Sequence, residues 1–245
     1  CPTNKVVAAM IRKPDKNSVV IGVDSSTTAT KAVAWDAAGQ VVAVGRCPMA
    51  TDSPQSGWAQ QDPQAWWEST ITAVAQCVAG LDGLPVAALG LTVQRETFAL
   101  LGAAGEPLHA ALLWHDARAQ SELAAVAAQV GVEDYHRTTG KQLDVTSAVA
   151  KMCWLRRHTG LLGDGNDARF VDVMAYLALR MTDRSATTPA GLDTTGLLEL
   201  RGGAWHEPHL RMVGLEAARM PALVPPGGLL GNLTASAAAA LGLSA

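Results

Sequence analysis

Residues 18–36 constrain the fold more than any other stretch. Val19-Val20-Ile21-Gly22-Val23-Asp24 is a short apolar run, Ser25-Ser26-Thr27-Thr28 is a hydroxyl-rich turn, and Ala29-Thr30-Lys31-Ala32-Val33-Ala34-Trp35 is a second β-prone run that ends at Asp36. The pattern predicts two strands joined by a tight turn, with an acid where the first strand stops. Small hydroxylated residues in such a turn can aim backbone N–H and side-chain O–H groups at phosphate oxygens. Asp24 is placed to hold a hydrated Mg²⁺ against those oxygens. The same residues also suit an ordinary edge hairpin in which Thr serves β-propensity alone.

A third strand is predicted from Gln40 to Arg46, after the turn at Gly39. Asp62 then makes a good N-cap and Pro63 a good first helical residue. Trp67, Ile71, Val74, Val78 and Leu81 follow at helical spacing and define the expected buried face. Val86 to Val93 is continuously apolar, as expected of a parallel strand covered on both faces. Further strands and helices alternate to the C-terminus, with helical patterns over 144–158, 172–181 and 235–243, which argues for an α/β fold with a mixed sheet.

With 245 residues the chain has ample material for a core, as one large domain or two small ones. A net charge of −3 supplies no basic field for nucleic acid or an anionic membrane surface, and no apolar run approaches the ~20 residues that span a bilayer. Cys1, Cys47, Cys77 and Cys153 show no paired spacing and read as reduced thiols of a cytoplasmic protein. Residues 1–17 are mildly basic and read as a disordered or vector-derived leader, with the fold occupying 18–245. His206 and His209 lack a third metal ligand, and Pro208 between them predicts a solvated loop rather than a helix.

Four motifs occur in order: the hairpin, Gly57-Trp58-x-Gln60-Gln61-Asp62-Pro63-x-x-Trp66-Trp67, Gln94-Arg95-Glu96-Thr97, and Trp114-His115-Asp116-x-Arg118. The hairpin resembles the first phosphate loop of actin-like ATPases. The full set resembles the N-terminal domain of the FGGY carbohydrate kinases, the family of xylulokinase and glycerol kinase. The resemblance implies a ribonuclease-H-like (actin-like ATPase) domain with a mixed five-stranded sheet flanked by helices. It also implies ATP-dependent phosphorylation of a small-molecule sugar or polyol, a reaction in which positioning and charge stabilisation do most of the work.

On that resemblance Asp24 would hold Mg²⁺ through its water shell, and Ser26, Thr27, Thr28 and Lys31 would shape the ATP phosphate loop. Ser26 stands where the family usually has Gly. Arg95 and Glu96 would bracket vicinal hydroxyls, the alternative being a satisfied ion pair with no substrate role. Trp114 would supply an apolar wall or core packing, and Asp116 would reach a distal hydroxyl or cap the helix starting at Ala117. Trp58, Trp66 and Trp67 are assigned to packing, and Gln60 and Gln61 to the loop lining the cleft. Thr188 stands where these kinases commonly have Asp. The family's general-base Asp, in a Gly-x-Gly-Asp segment, is expected beyond Ala245, together with the second, nucleotide-binding domain. The chain is therefore expected to be inactive alone, and its exposed inter-domain face predicts self-association, a homodimer being the simplest form. A non-catalytic sugar-binding or regulatory remnant is the alternative, and an actin-like or chaperone ATPase recognised by its hairpin alone is a third.

Overall fold

The computed structural model describes residues 17–163 and 165–243. The expected leader therefore lies outside the described residues, apart from Asn17.

The chain opens with the three predicted antiparallel strands: β1 (Val19–Ser25), β2 (Ala29–Trp35) and β3 (Val41–Pro48). After β4 (Gln60–Gln61) and helix α1 (Pro63–Ala79), β5 (Val86–Val93) returns alongside β1 and pairs with it in parallel. The resulting mixed sheet has the order β3-β2-β1-β5. It has four strands among the described residues, not the expected five.

Alternation decides which face of this sheet is covered. Val19, Ile21, Val23 and Ser25 of β1 are buried and alternate with neighbours that are not, and Thr30, Ala32 and Ala34 of β2 are buried between Lys31, Val33 and Trp35, which are not. Helix α1 lies on the buried face. A Cβ on Gly45 would come within 1.9 Å of the Ala73 carbonyl oxygen, so only glycine lets β3 approach α1 this closely. Asp62 caps α1 by accepting from the Gln64 N–H at 2.9 Å, and Pro63 fills the first turn, where no N–H is needed. The buried stripe of α1 is Trp66, Trp67, Thr70, Ala73, Val74 and Cys77, with Ile71 and Val78 only half-buried. It is wider than the sequence spacing predicts because α1 meets α5 (Val173–Thr182) and α8 (Ala235–Leu241) as well as the sheet.

β5 departs from expectation. It is parallel to β1, yet none of its residues is buried. It is the edge strand of its sheet, and continuous apolarity alone does not place a strand inside.

A second core forms around a four-stranded sheet of order β4-β7-β6-β8, made with β6 (Phe98–Leu101), β7 (Ala111–Leu112) and β8 (Arg169–Asp172). Its cover comes from α2 (Leu123–Val130), α3 (Val132–Thr139), α4 (Ala148–Thr159) and, after the short β9 (Ala186–Thr187), α6 (Pro189–Leu192), β10 (Leu198–Glu199) and β11 (Ala204–Trp205), from α7 (Glu207–Val213). A last strand, β12 (Ala222–Leu223), pairs in parallel with β9. Pro208 does not break α7. It sits in the first turn, and His209 is buried rather than solvated, its Nδ1 2.8 Å from the Gly196 carbonyl oxygen and its ring stacked on Tyr135.

Asp172 couples the two cores. It caps α5 by accepting from the Ala175 N–H at 2.9 Å and accepts from the Thr187 hydroxyl at 2.8 Å. Asp172→Ala orphans both donors and is expected to cost about 1–3 kcal/mol in urea denaturation, while Asp172→Asn, which can keep both contacts, costs less.

Acid stability combines two opposing groups. Burial holds His206 and His209 below their ordinary 6.5, so the unfolded chain takes up their protons first and stability falls as pH drops below 6.5. Burial pushes Asp172 up to about 6, so the folded chain takes its proton first and gains stability as pH falls through 6. The loss of stability between pH 7.5 and pH 5 is therefore expected to flatten in His209→Gln and steepen in Asp172→Asn, read as denaturation midpoints against pH.

Candidate active site

Parallel pairing of β1 with β5 brings the first and third motifs to one edge of the molecule. Asp24 is level with Thr92 on β5 and opposite Lys31 on β2, and the Gln94 N–H donates to the Ser25 carbonyl at 2.9 Å. The hydroxyl turn and the Gln94-Arg95-Glu96-Thr97 turn thus leave the sheet side by side.

Side chains then stitch the turns together. The Thr27 hydroxyl donates to Gln94 Oε1 at 2.9 Å and accepts from the Trp114 indole N–H at 3.3 Å. Gln61 Nε2 donates to the Thr27 carbonyl at 2.7 Å and the Ala50 carbonyl at 3.2 Å. Its Oε1 accepts from Trp66 Nε1 at 3.0 Å and Gln94 Nε2 at 3.1 Å. Thr97 donates to Gln94 Oε1 at 3.1 Å and accepts from the Trp114 backbone N–H at 3.1 Å. The expected phosphate loop and the expected sugar wall are therefore tied directly to each other.

Within the turn, the Ser26 hydroxyl closes on the Ala29 carbonyl at 2.8 Å. Ser26 is not among the described non-glycine residues with positive φ, so the family's glycine is not required here for backbone geometry. Thr28 and Lys31 are exposed, and Asp24 is half-buried. No cluster of three potential metal ligands exists among the described residues. A single accessible carboxylate beside a phosphate-type turn fits a Mg²⁺ that keeps most of its waters.

Arg95 pairs with Asp193 at the C-terminal end of α6, and both side chains stay substantially exposed. Glu96 takes a left-handed φ of 60° and pairs with Lys141, just beyond α3. The sequence reading assigned neither Asp193 nor Lys141. Trp114 is exposed beside the turns, so it stands where a wall would be rather than in the core.

Asp116 requires correction as a hydroxyl-binding residue. It is fully buried, and its carboxylate accepts from the Ala59 N–H at 2.6 Å, from the Arg118 N–H at 3.0 Å and from the Arg118 guanidinium at 2.8–3.0 Å. That guanidinium also donates to Gln60 Oε1 at 2.9 Å and stacks over Trp58 with its carbon 3.8 Å from the ring centroid. Asp116 and Arg118 lock the Trp58–Gln60 segment to the Trp114 loop.

Lys151 of α4 acts on the same loop from within. Its ammonium donates to the carbonyls of Leu113 and Trp114, both at 2.7 Å, and burial pulls its pKa down to about 8. A cavity of about 770 Å³ lies elsewhere, along β5 between Leu89, Met174, Met181 and Leu233. It is lined by no charged residue and gathers none of the groups above.

A mixed sheet that opens with three antiparallel strands, with a phosphate-type turn at its first corner, is the fold of the actin-like ATPases. The chain belongs to the FGGY family of carbohydrate kinases: the model of that family's N-terminal domain matches residues 19–245. It is 32% identical over 221 residues to a glycerol kinase of Acaryochloris marina, covering 87% of this chain and 44% of that protein. To a xylulose kinase of Streptomyces coelicolor it is 32% identical over 221 residues, covering 88% and 44%. The crystal structure of a xylulose kinase from Rhodospirillum rubrum superimposes with a TM-score of 0.87 at 25% identity, over 92% of this chain and 46% of that one. The chain thus spans less than half the length of these relatives.

Gln61 holds four partners with one amide. Gln61→Leu leaves the buried Trp66 indole and the half-buried Thr27 carbonyl and Gln94 amide without their partner and is expected to cost on the order of 3 kcal/mol, measured by chemical denaturation. It should also loosen Trp114, which collisional quenching of its fluorescence would detect.

Proposed function

We propose that this chain is the substrate-side part of an ATP-dependent kinase for a neutral sugar or polyol, working in the cytoplasm. The observation that carries the reading is the Thr27–Gln94 hydrogen bond, which ties the phosphate-type turn to the turn bearing Arg95 and Glu96. Phosphoryl transfer demands that donor and acceptor be held in line. Two turns fixed to each other on adjacent strands provide that.

In this reading Ser26, Thr27 and Thr28 present the turn to the ATP phosphates, with Lys31 contributing positive charge at its edge. The Ser26 and Thr27 hydroxyls are engaged within the protein, so backbone N–H groups and Thr28 make the contacts. Asp24 holds Mg²⁺ through water, and that ion, when bound, neutralises charge on the phosphates. Arg95, Glu96 and Trp114 face the sugar, while Asp116 and Lys151 hold the Trp114 loop from behind. No carboxylate at these tips is assigned as the general base, since Glu96 and Asp193 are each committed to a cation and Asp116 is enclosed. The segment that supplies the base and the second domain that binds adenosine are assigned to the remainder of a longer protein.

Calorimetric titration of the chain with D-xylulose, xylitol and glycerol tests the reading. At least one is expected to bind, and Arg95→Ala or Glu96→Gln is expected to weaken it about tenfold, the effect of losing one charge-assisted contact. A coupled ADP-release assay should detect no sugar-dependent turnover by the chain alone. Sugar binding that survives both substitutions would remove the assignment, and turnover would place a base within the chain.

A further inference from the structure

We propose that Lys141 is a specificity-determining residue: with Glu96 it forms the donor–acceptor pair that grips two vicinal hydroxyls of a neutral polyol or ketose. The proposal rests on the reading above, in which the turn at 94–97 faces the substrate, and names the partner that turn uses.

Three observations carry it. First, the two ion pairs at this turn differ in enclosure. The side chains of Arg95 and Asp193 are 49% and 39% exposed, whereas those of Lys141 and Glu96 are 13% and 11% exposed. A contact enclosed to that degree is shielded from competing water, and its geometry is worth more than that of an exposed pair.

Second, both partners are held in place by their own backbone. Glu96 has φ 60°, a conformation an L side chain adopts only when its surroundings demand it. Lys141 follows Gly140, whose φ of 71° ends α3, and the Lys141 N–H donates to the Thr139 hydroxyl at 3.2 Å. Its ammonium is steadied from the other side by the Thr146 hydroxyl at 3.1 Å, which itself donates to Asp144 at 2.6 Å.

Third, the valences are right. An ammonium carries three donors, and Glu96 and Thr146 take two, leaving one for a ligand; a carboxylate has acceptor capacity beyond one partner. Adjacent donor and acceptor sites match one hydroxyl that accepts and a neighbour that donates. Each charge at this turn is already compensated, Arg95 by Asp193 and Glu96 by Lys141, so a substrate carboxylate would have to break an existing pair.

The test measures binding of xylitol, D-xylulose, their monodeoxy analogues and D-gluconate to the whole chain by calorimetry, with thermal melting as the control for folding. The native chain is expected to prefer xylitol or D-xylulose to gluconate and to lose about tenfold in affinity for an analogue lacking one of the vicinal hydroxyls. Lys141→Met should weaken the parent polyol about tenfold while leaving the deoxy analogue nearly unchanged, so that the discrimination collapses. General damage would weaken both alike. Lys141→Arg should recover part of the discrimination, and Thr146→Val, which removes the second anchor of the ammonium together with that hydroxyl's bond to Asp144, provides the test should Lys141→Met fail to fold. Discrimination unchanged in folded Lys141→Met, or in Thr146→Val if only that variant folds, overturns the proposal, as does a preference for gluconate. Absence of binding by any polyol or ketose to the native chain would instead overturn the reading of the site, and this proposal with it.

Discussion

The amide of Gln61 is the junction on which the proposed site depends. It donates to the carbonyls of Thr27 and Ala50 and accepts from Trp66 and Gln94, so its full complement of four hydrogen bonds is made. Trp66 is anchored in the first core and Gln94 directly follows β5, while Thr27 sits at the tip of the first hairpin. One polar side chain therefore registers a helix, a strand end and a turn against one another. Such a network is rigid when complete and costly when broken, because Trp66 is buried and Thr27 and Gln94 are half-buried.

The charges at the tips follow a related logic. Arg95 and Glu96 are neighbours in the chain but pair away from each other, with Asp193 and Lys141. Crossing the partners draws the end of α6 and the loop after α3 toward the same turn. Buried or half-buried ion pairs add little net stability, since desolvation offsets attraction. Their value here lies in direction: they fix where a carboxylate and an ammonium point.

Behind the tips, Asp116, Arg118 and Lys151 do the supporting work. The first two form a fully enclosed pair roofed by Trp58, and the third clamps two successive carbonyls of the Trp114 loop. Losing either would leave a buried charge or bare carbonyls, which explains why charged residues stand in so apolar a region. The motif containing Asp116 lies beside the hydroxyl turn, its Trp114 indole N–H donating to Thr27, although the carboxylate itself faces inward.

The elements were written plainly in local chemistry. The hairpin, the Asp62-Pro63 start of α1 and the parallel strand at 86–93 follow from residue type, capping and periodicity, all of which act within a few positions. The four motifs, read together, also carried the family. Other features had no local signature. Burial of β5 depended on what lies beside it, and Pro208 was compatible with α7 because of where the helix happened to begin. Arg95 finds Asp193 across 98 positions and Glu96 finds Lys141 across 45. Lys141 reads as an ordinary surface lysine until packing encloses it with Glu96, and Asp193 as an ordinary surface aspartate until the fold brings it to Arg95. The order of strands, turns and helices could thus be read from the chain, whereas the choice of ion-pair partners belonged to the folded molecule, because charge pairing is settled by distance and enclosure rather than by neighbourhood in sequence.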